Sequence, residues 1–220
     1  MIGTVTKPMD EILGVLARYR KVAVSGCNGC AKVTKTGGEP EVSAMAEKLR
    51  SAGKEVPLAL TPERGCYIHF VREKFEGQQE QLGGCDAVLV LGCGGANHIM
   101  RQFTEELGLT IPVKAALNTV GHVDIVMPGA LALEQCSECG ECMLNETGAI
   151  CPVTKCSKSL LNGPCGGSEN GKCEVDSERD CAWVLIYNRL KTLGELDSLR
   201  TYRQPRDNRK TNRPRSLVLS

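Results

Sequence analysis

Aromatic side chains are scarce in this 220-residue chain, at 4%, with three Phe, four Tyr and a single Trp. Net charge is almost absent too, at +1 from 27 basic and 26 acidic residues. A dedicated nucleic-acid binder needs a basic face interleaved with stacking rings, so nucleic acid is not an expected partner. No window approaches the roughly 18 uninterrupted apolar residues of a membrane span, so membrane insertion is not expected either. The opening segment MIGTVTKPMDEILGVLARYRK is interrupted by Asp10 and Glu11, and it lacks the apolar run and small-residue cleavage site of a secretory signal. Histidine occurs only at His69, His98 and His122, each isolated and read as a surface or core residue. No acid and histidine spacing suggests hydrolytic or acyl-transfer chemistry, so no catalytic residue is expected.

Cysteine is what the chain has in excess. Thirteen are present, an odd number. The signal-free start points to the cytoplasm, where thiols stay reduced, and the cysteines are therefore read as metal ligands rather than disulfides. Eight of them lie between Cys136 and Cys181, opening with Cys136-x2-Cys139-x2-Cys142. Three cysteines at a spacing of two can occupy three corners of a cubane cluster, whereas a structural zinc site usually needs only pairs.

The first half alternates between strand and helix periods in the manner of βαβ units. Helices are expected over 8–19, 41–52, 67–82 and 96–107, and strands over 21–26, 54–60 and 86–92, with a last strand between 113 and 127. That alternation implies an α/β fold with an open, mostly parallel sheet and helices on both faces. Cys27 and Cys30 follow the first of these strands, Cys66 the second and Cys93 the third. All four are thus expected beyond the carboxyl ends of parallel strands, where open α/β sheets place their ligands. A cluster site is the favoured reading; a redox-type C-x2-C plus two incidental cysteines is the alternative. Cys85 precedes its strand and is read as a small buried residue at the opposite edge. The glycines of LGCGGAN match neither GxGxxG nor a P-loop, and are read as letting backbone approach a cluster or turn sharply.

Past Pro128 the periodicity fades, which sets an expected boundary at 128–134. The expected organisation is an α/β domain over 1–128, a small cysteine-rich metal-stabilised module over 129–196 and a basic extended tail over 197–220. A module of this kind has too little apolar surface to fold alone, and ligation substitutes for a core. Its candidate ligands are Cys136, Cys139, Cys142, Cys151, Cys156, Cys165, Cys173 and Cys181. Eight thiolates suit two four-iron (4Fe-4S) clusters, which gives two or three clusters with the first domain included. No histidine follows His122, which removes mixed Cys/His zinc patterns. A zinc ion at one C-terminal site, or zinc throughout, stays open. A helix opens at Cys181, with Trp183, Ile186, Tyr187 and Leu190 on one face. The closing RTYRQPRDNRKTNRPRSLVLS carries seven Lys/Arg against one acid, and reads either as a solvated tail or as an arm ordered on an acidic partner surface.

The string TGAICPVTKCSKSLLNGPCGG, followed by GKCEV and DCAWVLIYNRL, resembles the C-terminal domain associated with methylenetetrahydrofolate reductases. With the cysteine-bearing α/β domain before it, the chain is similar to the MetV-type small iron-sulfur subunits of such reductases from acetogens and other anaerobes. The resemblance is specific over about 134–192 and looser over 1–128. It implies an electron-transfer subunit that takes electrons from ferredoxin or another redox partner. Those electrons would pass to the flavin of a separate catalytic subunit, which makes methyl-tetrahydrofolate. A folate-binding (β/α)8 barrel needs about 250 residues of its own, for which this chain has no room. The competing readings are a zinc-stapled assembly subunit and a cluster-bearing adaptor of another anaerobic redox complex, such as a heterodisulfide-reductase-like assembly. The NGPCGG and GKC segments are further expected to give backbone N–H donors to cluster sulfurs, with Gly166 and Gly167 sensitive to substitution.

Overall fold

A computed structural model describes residues 1–127 and 131–211, the side chains of 125–127, 131–132 and 210 aside. Contacts divide the chain into two compact units, Met1–Gly121 and His122–Ser220. Residues 128–130, where a boundary is expected, and residues 212–220 of the basic tail lie outside the described residues.

The first unit opens with β1 (Ile2–Thr6) and α1 (Met9–Val15), then β2 (Val22–Ser25), α2 (Cys30–Val33) and α3 (Glu39–Ser51). It continues through β3 (Ala59–Leu60), α4 (Ile68–Lys74), α5 (Gln79–Gly83), β4 (Ala87–Val90), α6 (Gly94–Glu106), β5 (Val113–Ala115) and β6 (Leu117–His122). Four strands form a fully parallel sheet in the order β3-β2-β4-β5. Strands β1 and β6 pair separately.

The helices lie on both faces of the four-stranded sheet, as the period of two along its central strands requires. Val22, Val24, Ala87 and Leu89 belong to one core cluster, with Ile12 and Leu16 at α1 and Val42, Met45 and Leu49 of α3. Ala23, Val88 and Val90 point the other way, into a cluster with Val71 and Phe75 at α4, Leu82 of α5, and Met100 and Phe103 of α6. Each of the larger of these side chains, the Val, Leu, Ile, Met and Phe, contributes about 1.5–3 kcal/mol when removed from water, so the two faces together hold the sheet and its loops in place.

Several expected elements are cut shorter or divided for local reasons. The helix expected over 67–82 is two helices, because Gly77 takes the left-handed φ of +73 between them. The strand expected over 54–60 shrinks to Ala59–Leu60, with an isolated bridge between Lys21 and Glu55; Pro57, between them, has no N–H to give. The last strand expected between 113 and 127 is three separate strands. β5 completes the sheet, β6 pairs β1, and β7 (Asp124–Met127) pairs antiparallel with β8 (Leu131–Leu133) in the second unit.

Beyond β8 the second unit has little regular structure. Among the described residues its helices are α7 (Pro152–Lys155) and α8 (Ala182–Leu193), with short 3-10 turns at Leu144–Glu146, Leu196–Arg200 and Asn208–Thr211. α8 stops at Gly194, whose φ of +72 lets its N–H and that of Glu195 reach back to the carbonyls of the last turn. The core here is small: Met143, Cys181, Trp183, Ile186 and Leu190, packed by Ile150, Cys156, Leu161, Val184 and Leu196. Tyr187, expected on the buried face of α8, is 47% exposed. No helix among the described residues is long and apolar enough to cross a membrane.

Candidate functional site

Each parallel strand of the first unit ends in a loop carrying thiols. β2 runs through Gly26 into Cys27, and Cys30 is the first residue of α2. The loop between β3 and α4 carries Cys66, while β4 passes through Leu91 and Gly92 to Cys93, the N-cap of α6. The loop after β2 folds tightly, since a Cβ on Gly37 would stand 2.1 Å from the Leu91 carbonyl oxygen. That close approach lets Gly37 O accept the Cys27 N–H at 2.7 Å.

The four thiols share one neighbourhood. Cys27 is 6% exposed and accepts the backbone N–H of Gly65 at 3.2 Å. Gly65 immediately precedes Cys66, so the second loop is fastened to the first. Burial pushes the Cys66 thiol up, and Cys27, Cys93 and Cys30 push it further, as like charges crowding one site do. Gly95 leaves room beside two of the thiols, since a Cβ there would lie 3.5 Å from Cys66 Cβ and 3.7 Å from Cys93 Sγ. Asn97 Nδ2 donates to the carbonyls of Cys93 and Gly92, at 3.0 and 3.3 Å, and Gly94 N–H donates to Thr119 Oγ1 at 3.0 Å. These bonds fix the loop at the N-terminus of the 13-residue α6, with Cys93 at its N-cap. Cys85 stands apart, buried, with its S–H on Gln81 O.

The donor set fits an iron-sulfur cluster in chemistry. It is all thiolate, it comes from three loops, and its mutual repulsion is of the kind that bound iron relieves. Among the described residues, no group of three or more His, Cys, Asp or Glu side chains is gathered closely enough to hold a metal ion. A single tetrahedral ion, with sulfurs about 2.3 Å away, needs that tighter gathering, whereas a cubane takes its thiolates at separate corners.

In the second unit the run Cys136 to Cys142 is wound by left-handed residues, Glu138 at φ 53 and Gly140 at φ 77. Glu138 N–H turns onto Cys136 Sγ at 3.4 Å. Burial opposes ionisation of Cys139, yet the Glu141 backbone, the Arg206 guanidinium and the Ser137 hydroxyl outweigh it and hold the thiol below its usual range. Cys151 caps α7, and Thr154 Oγ1 lies 3.7 Å from its sulfur.

The remaining four thiols come together elsewhere. Cys156, Cys165, Cys173 and Cys181 line one small cavity of about 20 Å³, beside Glu174 and Trp183. The Val175 and Asp176 backbone N–H groups and the Ser157 hydroxyl bond the Cys173 sulfur and hold that thiol below its usual range. A separate apolar cavity of about 390 Å³, lined by Leu161, Trp183, Tyr187 and Leu199 among others, contains no cysteine.

Three charged residues at these sites carry no sequence motif: Arg206, Glu174 and Lys158. Arg206 and Arg203 belong to the basic tail, and both turn back onto the second unit, Arg203 pairing with Glu146 at 2.5 Å. Only the excess of Lys and Arg in the tail itself hinted at it.

No curated protein and no solved structure matches the chain. Residues 115–209, a little under half of it, match the family model described as methylene-tetrahydrofolate reductase C terminal, which links the second unit to that reductase.

Proposed function

We propose that this chain is the electron-transfer iron-sulfur subunit of a methylenetetrahydrofolate reductase complex, serving a flavin held by a separate catalytic subunit. The observation that carries the reading is the meeting of Cys27, Cys30, Cys66 and Cys93 at the carboxyl edge of a parallel sheet, in a chain with reductase-family character after residue 115. These four would hold one four-iron cluster, and Cys136, Cys139 and Cys142, with Cys151 next in the chain, would hold another. A cluster of this kind supplies one-electron transfer at a potential set by hydrogen bonding and exposure.

The chain's own residues do the rest. Gly65 N–H bonds the Cys27 sulfur, and Cys93 is held at the N-cap of α6. The two core clusters close the site from below, while Cys66 is exposed and sets one corner of it toward a docking partner. Ferredoxin or a similar redox protein would deliver electrons, and the partner flavoprotein would receive them.

Purification under anaerobic conditions is expected to bring down a flavin-containing barrel protein with this chain. Its flavin should be reduced by an external donor with the wild-type chain, and not with Cys93→Ser. Reduction that survives Cys93→Ser would move the electron path out of the first unit, and the absence of a flavoprotein would remove the reductase reading.

A further inference from the structure

The basic tail carries a cation to the cysteine triplet. We propose that Arg206 is a charge-tuning residue for the centre held by Cys136, Cys139 and Cys142, its guanidinium setting how readily that centre accepts an electron. This deepens the cluster reading above and rests on it.

The chain before Arg206 delivers it to this place. Arg203 is fixed by its ion pair with Glu146 and by two hydrogen bonds between its backbone and the Asn162 side chain. Pro205 then stiffens the link to the next residue. The Arg206 side chain is 17% exposed, so water screens its charge only in part. Nη2 donates to Cys139 O at 3.2 Å, and Nε is buried with no hydrogen-bond acceptor among the described residues. A buried guanidinium N–H in that state is costly until negative charge is brought beside it.

The acids around Arg206 offset its charge incompletely. Glu141 Oε2 stands 3.7 Å from Nε, beyond hydrogen-bond length. Asp207 is engaged by Arg209, whose Nε and Nη2 donate to its two carboxylate oxygens at 2.9 and 3.0 Å. Cys139 is buried, whereas Cys136 and Cys142 are exposed, so a nearby cation acts on Cys139 through less water than on the other two. The Arg206 charge bears on the Cys139 sulfur as well as on its carbonyl.

Reduction by a redox protein adds one electron, and so one negative charge, to a thiolate-held cluster without making or breaking a bond; passing the electron to the partner flavin restores the first charge. A fixed cation beside Cys139 stabilises the reduced form more than the oxidised form, and thereby raises the potential.

A redox titration of the full chain, purified anaerobically and followed by electron paramagnetic resonance, tests the assignment. The signal lost in Cys142→Ser identifies the triplet centre. Arg206→Gln keeps a donor for Cys139 O and removes the charge; its triplet centre should titrate at a lower potential, the ratio of reduced to oxidised centre at fixed poise falling about tenfold. Arg206→Lys should stay near wild type, and the signal lost in Cys93→Ser should not move in either variant. Glu141→Gln, which leaves Arg206 in place and removes the opposing charge, should shift the triplet centre upward. A wild-type potential in Arg206→Gln, or equal shifts in Arg206→Gln and Arg206→Lys, overturns the tuning role and leaves the cluster reading standing. Iron lost from both Arg206 variants makes the residue an assembly contact and also overturns it. Wild type without iron, or without a signal that depends on Cys142, overturns the cluster reading and the tuning role together. Where an Arg206 variant fails to fold, an unshifted potential in Glu141→Gln overturns the proposal.

Discussion

Arg206 Nη2 donates to the backbone carbonyl of Cys139 at 3.2 Å, and its Nε lies 3.7 Å from Glu141 Oε2. Nearby, Arg203 and Asn162 exchange two hydrogen bonds, Arg203 N–H to Oδ1 at 2.7 Å and Nδ2 to Arg203 O at 2.9 Å. The tail through Arg206 is thus fastened to the loop that carries the cysteine triplet. Replacing Arg206 with Ala removes a charge-assisted bond, at a cost of about 1–2 kcal/mol. Hydrogen exchange should then quicken at residues 137–142 and 203–207, and trypsin should cut the tail sooner. Unchanged exchange at 137–142 would show that the tail does not support that loop.

Gly37 is predicted to be intolerant of any side chain, because its Cβ position falls 2.1 Å from Leu91 O, a backbone atom that cannot move aside. Gly37→Ala should destabilise the first unit by about 1–3 kcal/mol or more. Its displaced carbonyl would also release the Cys27 N–H. Thermal melting and metal content together check this: both should fall, and a variant with wild-type melting and metal content would refute it.

Phe75 is fully buried, with its ring 5.7 Å from that of Phe103. Phe75→Ala should cost about 3–5 kcal/mol and lower the melting temperature by about 10–20 °C. The residue packs among α4, α5 and α6 in the core beneath the thiol loops and offers no ligand of its own, so the metal content of the folded fraction should stay that of wild type.

Asp86 gives the pH dependence. Its carboxylate accepts the backbone N–H groups of Lys21, at 2.7 Å, and Arg20, at 2.8 Å, and these hold the carboxyl below its usual range. The folded state therefore binds fewer protons than the unfolded state between the depressed and ordinary values, and stability rises with pH through that window. The contribution is complete above the ordinary carboxylate range and lost as the pH falls through the depressed value. Wild type should melt above Asp86→Ala near neutrality, and the two curves should converge in acid. A gap that persists in strong acid would contradict this.

The parallel sheet was legible because its strands are short apolar runs separated by helices, and DAVLVLG could only be buried on both sides. The edge carrying Cys27, Cys30, Cys66 and Cys93 followed from that topology. The division of helix 67–82 was signalled weakly, by Gly77 alone. The strand Ile2–Thr6 and the pairing of Leu117–His122 with it were illegible, since that partnership spans over a hundred residues. The grouping of Cys156 with Cys165, Cys173 and Cys181 was equally hidden: spacings of about eight permit many partners, and the hairpin that selects them depends on the Lys172 and Asp180 pairing. Arg206 carried no motif, because its role comes from where the tail returns.

The central claim is that Cys27, Cys30, Cys66 and Cys93 hold one four-iron cluster. The most direct test is iron and acid-labile sulfide per chain in anaerobically purified wild type and Cys93→Ser, with circular dichroism to confirm the fold. The account predicts that Cys93→Ser loses about four irons and about four sulfides while the rest remain. Equal iron and sulfide in the two folded proteins would contradict it.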